Sequence, residues 1–361
     1  MRVAVVGTGL IGGSIGLALT ALGHEVVGFD RDPDRCSRAH ELGALTSVAP
    51  SLDAAARGAD IAFVALPVGA IADAVVQLLE AGAPLVTDVG SVKASVVADV
   101  ARRCPAGAAR FIGGHPMAGS EQEGIDGARG DLFVGAAWVV TPTATTDDGA
   151  FTTLRGLLRE LQAEVVSVTP EDHDVLVSFV SHVPQLAAST LMDVATTHEA
   201  EHRALLRLAA GGFRDMTRIA ASQPSIWLDI LTSNRDAVLG ALDAYLAALH
   251  GARDLVAAGD RDALQLLLDR ARAARRNLPV GLSMAAKLSE LRIVVPDRPG
   301  VLAEVTTLAG RLGVNVADVE IAHSTEGRQG VLVLIVAADD AEAFELGLRD
   351  LGYHTVRTDI E

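Results

Sequence analysis

The N-terminal stretch MRVAVVGTGLIGGSIGLALTALGHEVVGFDRDP, residues 1–33, decides the fold. Its apolar run Val3–Val6 predicts a strand that is covered on both faces, because such a strand needs no alternation with polar residues. The segment from about Ile11 to Leu22 predicts a helix, and Glu25–Phe29 predicts a second strand. A strand, a tight turn, a helix and a strand in this order begin a parallel sheet with crossover helices.

The turn between strand and helix carries the pattern G-x-G-x-x-G at Gly7, Gly9 and Gly12. In dinucleotide sites the first glycine permits the turn, the second lets the pyrophosphate approach, and the third lets the helix pack on the strand. Asp30 ends the second strand, 18 residues after Gly12, where a carboxylate accepts the ribose 2′-hydroxyl. We therefore predict a site for NAD rather than NADP, a preference that the neighbouring Arg31 weakens without reversing.

Four further apolar runs continue the alternation of strands and helices. They are DIAFVALP (60–67), PLVTDVGSVK (84–93), ARFIGGHP (109–116) and AAWVVTP (136–142). We predict a doubly wound α/β sheet of the Rossmann type, in which each run ends at the carboxyl edge where ligands bind. The expected cofactor contacts at this edge also include Leu10, Ile11, Leu66 and Pro67.

The composition excludes several classes of partner. The chain has 361 residues and a net charge of -16, which argues against nucleic acid as a partner. Cys36 and Cys104 stand far apart, as expected for a reducing compartment. The uncharged stretch Val3–Leu22 is as long as a membrane span but holds five glycines, so we expect no anchor or signal peptide. We predict a cytoplasmic protein without a membrane partner.

The pattern changes twice further along the chain. Residues 170–288 have helical periodicity, and a helix starts at Pro170 with acidic residues in its first turn. Residues 289–361 follow the order strand, helix, strand, strand, helix, strand. We predict three domains: a nucleotide-binding domain (1–169), an all-helical domain (170–288) and a small α+β domain (289–361). Apolar stripes left over on the helices predict a homodimer.

Four short motifs carry candidate functional residues. In DVGSVK, Ser91 either caps the following helix or points its hydroxyl at a ligand. In GGHPMAGSE, His115 is either part of a turn or a proton acceptor at a strand end. SHVPQ contains His182, either a ligand contact or a packed helix histidine. GGFRDMTRIAASQPSIW groups Arg214, Asp215 and Arg218 as a carboxylate-binding cluster or as a salt-bridge cluster at a helix start.

With these motifs in place, the chain resembles the prephenate and arogenate dehydrogenases of tyrosine biosynthesis. The resemblance covers nearly the whole chain, with GTGLIGGS, DVGSVK, GGHPMAGSE, SHVPQ and GGFRDMTRIA in the family's order. It implies an NAD-dependent oxidative decarboxylation of prephenate to 4-hydroxyphenylpyruvate, or of arogenate to tyrosine.

The resemblance also implies a role for each matching residue. His115 accepts the proton of the substrate's ring hydroxyl, and the Ser91 hydroxyl orients that histidine and the substrate. Arg218 binds a substrate carboxylate, with Glu121 and Asp215 as its ionic partners, and His182 is a further substrate contact. Some members of the family have the motif SHLPH, and this chain has Gln185 in place of its second histidine. The resemblance implies that a residue without acidic character at this position favours prephenate over arogenate.

The last seventy or so residues resemble an ACT domain, a small regulatory module that usually binds amino acids. This resemblance rests on Asp297, Pro299, Gly300, Leu302 and Asn315, and it implies a ferredoxin-like α+β fold. Asp297, Gly300 and Asn315 are the regulatory candidates. Tyrosine is then an expected effector, acting either through this domain or at the active site.

Three other functions remain open. The segment HEAEH (198–202) matches a zinc-protease pattern, but its polar flanks and the lack of a third ligand motif favour an exposed helix start, so we expect no metal. A beta-hydroxyacid dehydrogenase would need a catalytic lysine in the helical domain, and none lies between Lys93 and Lys287. A non-catalytic sensor of NAD and amino acids is the alternative from another class.

Overall fold

The structure is a computed structural model. It describes residues 1–119, 124–199, 208–277, 288–296, 298–323 and 329–360. By its internal contacts the chain divides into two units, Met1–Arg261 and Asp262–Glu361. The division does not separate the sheet from the helices that follow it, so the three-domain division with its boundaries stays a prediction.

The described part of the first unit contains an eight-stranded sheet with the order β3-β2-β1-β4-β5-β6-β7-β8. Its strands are β1 Arg2–Val6, β2 Glu25–Phe29, β3 Ser47–Val48, β4 Ile61–Val64, β5 Val86–Asp88, β6 Phe111–Pro116, β7 Ala137–Thr141 and β8 Glu164–Ser167. Neighbouring strands from β3 to β6 are parallel. The predicted doubly wound sheet is confirmed.

Helices cover both faces of this sheet. They are α1 Leu10–Ala21, α2 Pro33–Glu41, α3 Leu52–Ala56, α4 Val68–Glu80, α5 Ala94–Arg103 and α6 Asp148–Glu160. In β1, Val3 and Val5 belong to one apolar core while Ala4 and Val6 belong to the other, because successive strand side chains point to opposite faces. The charge-free stretch that begins at Val3 is therefore β1, the glycine turn and α1.

The prediction that all four later runs end at one edge is wrong for β7. This strand pairs with β6 in antiparallel orientation, so its carboxyl end lies at the opposite edge. A parallel return needs a crossover element, and the described part of the connection holds a single 3₁₀ turn, Ile125–Gly127. The carboxyl ends of β1, β4, β5 and β6 form the edge that remains available for a ligand.

A helical region completes the first unit, as predicted. Its helices are α7 Pro170–Val177, α8 Val183–Glu199, α9 Gly211–Thr217, α10 Pro224–Ser233 and α11 Arg235–Ala258. The Thr169 side chain caps α7 by accepting from the N–H of Asp172, and Pro170 takes the first helical position, where its missing N–H costs nothing. A π turn, Ser178–His182, joins α7 to α8.

The continuous helical stretch Pro170–Thr197 is long and apolar enough, by length and composition alone, to cross a membrane. It nevertheless carries the buried polar side chains of His173, Asp174, Ser178 and His182. Helices of a protein core pass the same test, and buried polar groups that hydrogen-bond to neighbouring elements fit a core helix better than a lipid-facing one.

The second unit contains all of α12 Arg261–Arg276 except its first residue, and continues with a four-stranded antiparallel sheet and two helices. These are β9 Leu288–Pro296, α13 Val301–Leu312, β10 Val316–His323, β11 Gln329–Ala337, α14 Ala338–Asp350 and β12 His354–Ile360. The strand order β10-β11-β9-β12 is ferredoxin-like, and the apolar residues of one sheet face pack with Phe344 and Leu348 of α14. The predicted α+β fold is confirmed.

Candidate functional site

The glycine turn after β1 fits a dinucleotide. Gly7 has φ +92°, and a Cβ there would lie 2.2 Å from the Ala65 carbonyl oxygen. A Cβ on Gly12 would lie 1.9 Å from the Gly7 carbonyl oxygen, whereas one on Gly9 would meet nothing within 4 Å. The start of α1, where Leu10 and Ile11 are half-buried, has no side-chain cap, so its N–H groups stay open to an anion.

Asp30, directly after β2, holds the glycine turn through hydrogen bonds to Thr8. One of its carboxylate oxygens accepts from the Thr8 N–H at 2.8 Å and the Thr8 hydroxyl at 3.2 Å, and the other accepts from the Asp32 N–H at 2.9 Å. The side chain therefore orders the glycine turn, and its role as a ribose contact stays a prediction. Arg31 is exposed, Leu66 is half-buried against Gly7, and Pro67 is exposed at the start of α4.

A buried ion pair, which the sequence analysis did not identify, holds the end of β6. Lys93 and Asp88 are both fully buried and bonded to each other. The Lys93 ammonium also donates to the Gly114 carbonyl at 2.8 Å, and Asp88 accepts from the Gly114 N–H at 3.1 Å. Burial lowers the pKa of Lys93, and the charge of Asp88 opposes that effect. The pair fixes the backbone immediately before His115.

The helix-cap interpretation of Ser91 is wrong. Helix α5 begins at Ala94, and Asp174 of α7 caps it by accepting from the N–H groups of Lys93 at 2.8 Å and Ala94 at 2.9 Å. Ser91 is half-buried, and its hydroxyl makes no hydrogen bond with the described residues. Its other interpretation, a hydroxyl that faces a ligand, stays open.

His115 stands at the head of a buried chain of hydrogen bonds. Its Nδ1 lies 2.9 Å from Nε2 of His173, and Nδ1 of His173 lies 2.8 Å from a carboxylate oxygen of Asp174. With both imidazoles neutral, Nδ1 of His173 carries the proton, because a carboxylate only accepts, and Nε2 of His173 accepts. Nδ1 of His115 must then donate, which leaves Nε2 of His115 without a proton.

Burial keeps His115 neutral. It lowers the pKa of this imidazole well below its ordinary value of 6.5, and His173, Lys93 and His182 lower it further. A neutral imidazole with a bare Nε2 at a strand end is a proton acceptor, and a general base needs that form at neutral pH. His173 lies 58 residues beyond His115 in the sequence, so no local pattern indicates this contact.

In His182 the proton lies on the other ring nitrogen than in His115. The Asn234 amide donates to the Asp174 carbonyl at 2.8 Å and to Nδ1 of His182 at 3.2 Å. Nε2 of His182 therefore carries the proton, and this buried atom has no partner among the described residues. Burial lowers the pKa of His182 to about 4. A buried donor without a partner is rare, so a ligand acceptor is expected here.

Gln185 lies one helical turn further along α8. Its side chain is buried, and its amide nitrogen donates weakly to the Ser189 hydroxyl at 3.4 Å. Its amide oxygen has no partner in the described part of the chain. Gln185 and His182 thus present one neutral acceptor and one neutral donor, and neither is charged.

The remaining predicted substrate residues lie on the next helical segment or outside the described residues. Asp215 and Arg218 are exposed, and the 3₁₀ turn Arg218–Ala221 packs against α8. Trp227 contacts His182 edge-on, with the ring centroids 6.2 Å apart. Glu121 lies outside the described residues.

The second unit has a cavity of about 310 Å³ beside α13. Gly300, Glu304, Thr307, Arg311 and Leu351 are among its lining residues. Gly300 precedes α13 with φ +93°, a conformation that favours glycine, and Asn315 is exposed. Asp297 lies outside the described residues.

The zinc hypothesis receives no structural test, because residues 200–202 of HEAEH and the side chains of the first two residues lie outside the described part. Among the residues that the structure does describe, no three His, Cys, Asp or Glu side chains form a metal-binding group.

A dinucleotide turn, a histidine base at the same sheet edge and a helical domain define the class of dinucleotide-dependent oxidoreductases. Comparison with known families makes this specific. Residues 15–167 match "Prephenate dehydrogenase, nucleotide-binding domain", residues 169–270 match "Prephenate dehydrogenase, dimerization domain", and residues 289–352 match "ACT domain". The chain belongs to the prephenate dehydrogenase family and is an oxidoreductase with a C-terminal ACT domain.

Curated relatives and solved structures agree with this family. The prephenate dehydrogenase of Bacillus subtilis is 35% identical over 94% of this chain and 92% of its own length. The Aquifex aeolicus prephenate dehydrogenase, solved with hydroxyphenyl propionate and NAD+, is 28% identical with a TM-score of 0.72, over 77% of this chain and 98% of that chain. Synechocystis arogenate dehydrogenase is 32% identical with a TM-score of 0.67, over 76% and 99%.

Proposed function

We propose that this protein oxidises prephenate with NAD and releases carbon dioxide to give 4-hydroxyphenylpyruvate. The observation that carries the proposal is His115, a buried neutral imidazole whose Nε2 has no proton, at the carboxyl end of β6. The names of the curated relatives support the substrate, and the open space at Gly9 supports the cofactor.

The strand order places the glycine turn and His115 at the same edge of the sheet. The glycine turn follows β1, and β4 and β5 separate β1 from β6, so the turn and His115 are three strand spacings apart, roughly 14 Å. The glycine turn and the start of α1 would hold the pyrophosphate of a bound dinucleotide. Ser91 and His115, near the ends of β5 and β6, would then lie at its nicotinamide end.

His115 performs the acid–base chemistry. Its Nε2 takes the proton from the ring hydroxyl of prephenate as that carbon is oxidised. A bound NAD would supply the acceptor for the hydride that leaves the same carbon. The ring carboxylate leaves as carbon dioxide, and the electron pair of the broken carbon–carbon bond makes the ring aromatic. His115 then returns its proton to the phenolate oxygen, so no proton is lost overall.

The other predicted residues bind the substrate in this proposal. Arg218 pairs with a substrate carboxylate, and Glu121 and Asp215 are its ionic partners. The Nε2–H of His182 donates to a substrate oxygen, which satisfies its orphaned proton. The Ser91 hydroxyl, free of intramolecular hydrogen bonds with described residues, orients the substrate hydroxyl toward His115.

Oxidation of arogenate to tyrosine is the second candidate, because one structural relative is an arogenate dehydrogenase. Gln185 offers an uncharged amide oxygen, whereas an amino group calls for a carboxylate. We therefore place prephenate first. Gln185→Glu is expected to shift the ratio of kcat/KM values toward arogenate, and an unchanged ratio would remove Gln185 from the specificity argument.

The ACT domain is proposed to bind an amino-acid effector such as tyrosine, with Gly300, Asn315 and Asp297 as candidate contacts. Deletion of residues 289–361 is expected to abolish inhibition by tyrosine. Full inhibition of the shortened enzyme would assign the effector to the active site as a product mimic instead.

A homodimer in the cytoplasm is the proposed state of the protein. On α11 the side chains of Leu239, Leu246, Leu249 and Val256 are exposed, and their spacing places them on one face of the helix. This face belongs to the region matched by the dimerization domain. Light scattering during gel filtration tests the proposal, and a monomer at micromolar concentration would contradict it.

The experiment for the function is the substitution His115→Asn. Asparagine can still donate to His173 but cannot act as a base, so kcat is expected to fall by roughly 10² to 10⁴. NAD affinity, measured by fluorescence titration, should stay the same. A sensor of NAD and amino acids would show no prephenate-dependent formation of reduced nicotinamide in the unsubstituted protein, and its ligand response would survive the substitution.

A further inference from the structure

We propose that His173 and Asp174 are positioning residues that keep Nε2 of His115 free of a proton before reaction and stabilise protonated His115 during turnover. This inference rests on the proposed role of His115 as the base. It assigns a function to two residues that the five sequence motifs do not include.

The burial and the distances of these hydrogen bonds determine which atoms donate and which accept when both imidazoles are neutral. His115, His173 and Asp174 are 9%, 1% and 5% exposed, so water does not compete for their hydrogen-bonding atoms. Both bonds, at 2.9 Å and 2.8 Å, are short enough to be made. In a buried chain each atom must be matched as donor or acceptor, and a mismatch costs the full desolvation of a polar group. One arrangement with neutral imidazoles satisfies all of them.

Asp174 is a rigid anchor for this arrangement. Its carboxylate accepts from His173 and from the N–H groups of Lys93 and Ala94, so three donors hold it. The last two N–H groups lie at the start of α5, where the positive end of the helix dipole attracts an acceptor oxygen. Asn234 also donates to the Asp174 carbonyl. The anchor therefore connects the helical region to the sheet edge that carries His115.

The same three hydrogen-bonded residues stabilise the positive charge that His115 acquires in the reaction. When His115 accepts a proton, it becomes a cation close to Lys93 and His182, in a site from which water is largely excluded. His173 then accepts a stronger hydrogen bond from Nδ1 of His115, and Asp174 supplies the compensating negative charge through His173. Without these residues the base would be misoriented, and its protonated form would lack a partner.

Nitrogen-15 NMR of histidine-labelled protein tests the first half of the proposal without a substitution. In the unsubstituted protein at pH 7, His115 is expected to show a protonated Nδ1 and a bare Nε2. A protonated Nε2 would overturn the proposal. The NMR measurement does not depend on turnover. An enzyme that is inactive on prephenate would contradict the proposed function, and the NMR spectrum would still show which nitrogen of His115 carries the proton.

Two substitutions of His173 test the second half. His173→Leu removes both hydrogen bonds at similar volume, and His173→Gln keeps one acceptor and one donor. We expect kcat to fall roughly 10²-fold for the leucine variant and less for the glutamine variant, with KM within about threefold. The leucine variant should also lose the single tautomer of His115 in the NMR spectrum.

His24→Leu is the matched control, because His24 pairs with Glu160 far along the chain from this network. It should leave kcat unchanged. Circular dichroism and NAD affinity check that each variant is folded. A His173→Leu enzyme with unchanged kcat would overturn the proposal, as would a lowered kcat with the His115 tautomer intact and no difference between the leucine and glutamine variants.

Discussion

The side-chain amide of Asn234 donates to Nδ1 of His182 at 3.2 Å, and this bond gives His182 the opposite protonation pattern to His115. Nε2 of His182 carries a proton, whereas Nε2 of His115 does not. Both imidazoles are buried and neutral. The site thus holds one uncharged donor and one uncharged acceptor, as a substrate that must be bound and deprotonated requires.

Removal of the Asn234 amide should weaken substrate binding more than turnover. In Asn234→Leu, His182 no longer has a fixed tautomer, and about one hydrogen bond to the substrate is lost, so KM for prephenate should rise roughly tenfold. Steady-state kinetics checks this. Asn277→Leu, at an exposed asparagine beyond α12, is the control. An unchanged KM in a folded Asn234→Leu enzyme would show that His182 does not contact the substrate.

The pH dependence of kcat/KM should lack an acid limb near neutrality. Burial holds the pKa of His115 well below 6.5 and lowers the pKa of His182 to about 4, so both imidazoles are neutral at neutral pH. Activity requires the deprotonated form of His115; it is present above the folded pKa and is lost as pH falls through that value. The profile should stay flat from pH 8 to about 6 and fall only below. An apparent pKa between 6 and 7 would contradict the buried, neutral base.

Gly9 and Gly12 should respond differently to the same substitution. A Cβ on Gly9 meets nothing within 4 Å, so Gly9→Ala should keep its Tm and lose NAD affinity by at least about tenfold, since the methyl group occupies the pyrophosphate's side of the turn. A Cβ on Gly12 collides with the Gly7 carbonyl, so Gly12→Ala should lower both Tm and affinity. Calorimetry gives both quantities. Equal loss of Tm in the two variants would refute the distinction.

The buried pair of Lys93 and Asp88 should matter for stability. Lys93→Met leaves the Asp88 carboxylate buried without its cation, which costs about 3–5 kcal/mol in the free energy of unfolding. The double variant Asp88→Asn with Lys93→Met should recover part of this. Arg38→Met breaks an exposed ion pair with Asp126 and should lower the free energy of unfolding far less, because solvent screens such pairs. Urea denaturation measures all three, and equal losses for Lys93→Met and Arg38→Met would contradict the assignment.

The glycine turn and the strand that ends at His115 were predictable because their signals are local. Gly7, Gly9 and Gly12 have separate steric reasons within one turn, and an apolar run places His115 at a strand end. The antiparallel β7 was not predictable, because an apolar run has no direction in its sequence.

The hydrogen-bond network was also beyond local patterns. Asp174 caps α5 from 80 residues away, and His173 reaches His115 across 58 residues. A search for the cap of α5 among nearby residues therefore favours Ser91, although the residue that caps this helix is Asp174. The π turn that carries His182 is defined by its backbone hydrogen bonds, which no residue pattern in the sequence indicates.

Formation of reduced nicotinamide is the decisive measurement, with prephenate and arogenate offered separately and each paired with NAD or NADP. We expect rapid turnover of prephenate with NAD, slower turnover with arogenate or NADP, and near-complete loss in His115→Asn. Turnover of arogenate alone would contradict the prephenate assignment and the argument from Gln185. No turnover of either substrate would contradict the role of His115 as a catalytic base.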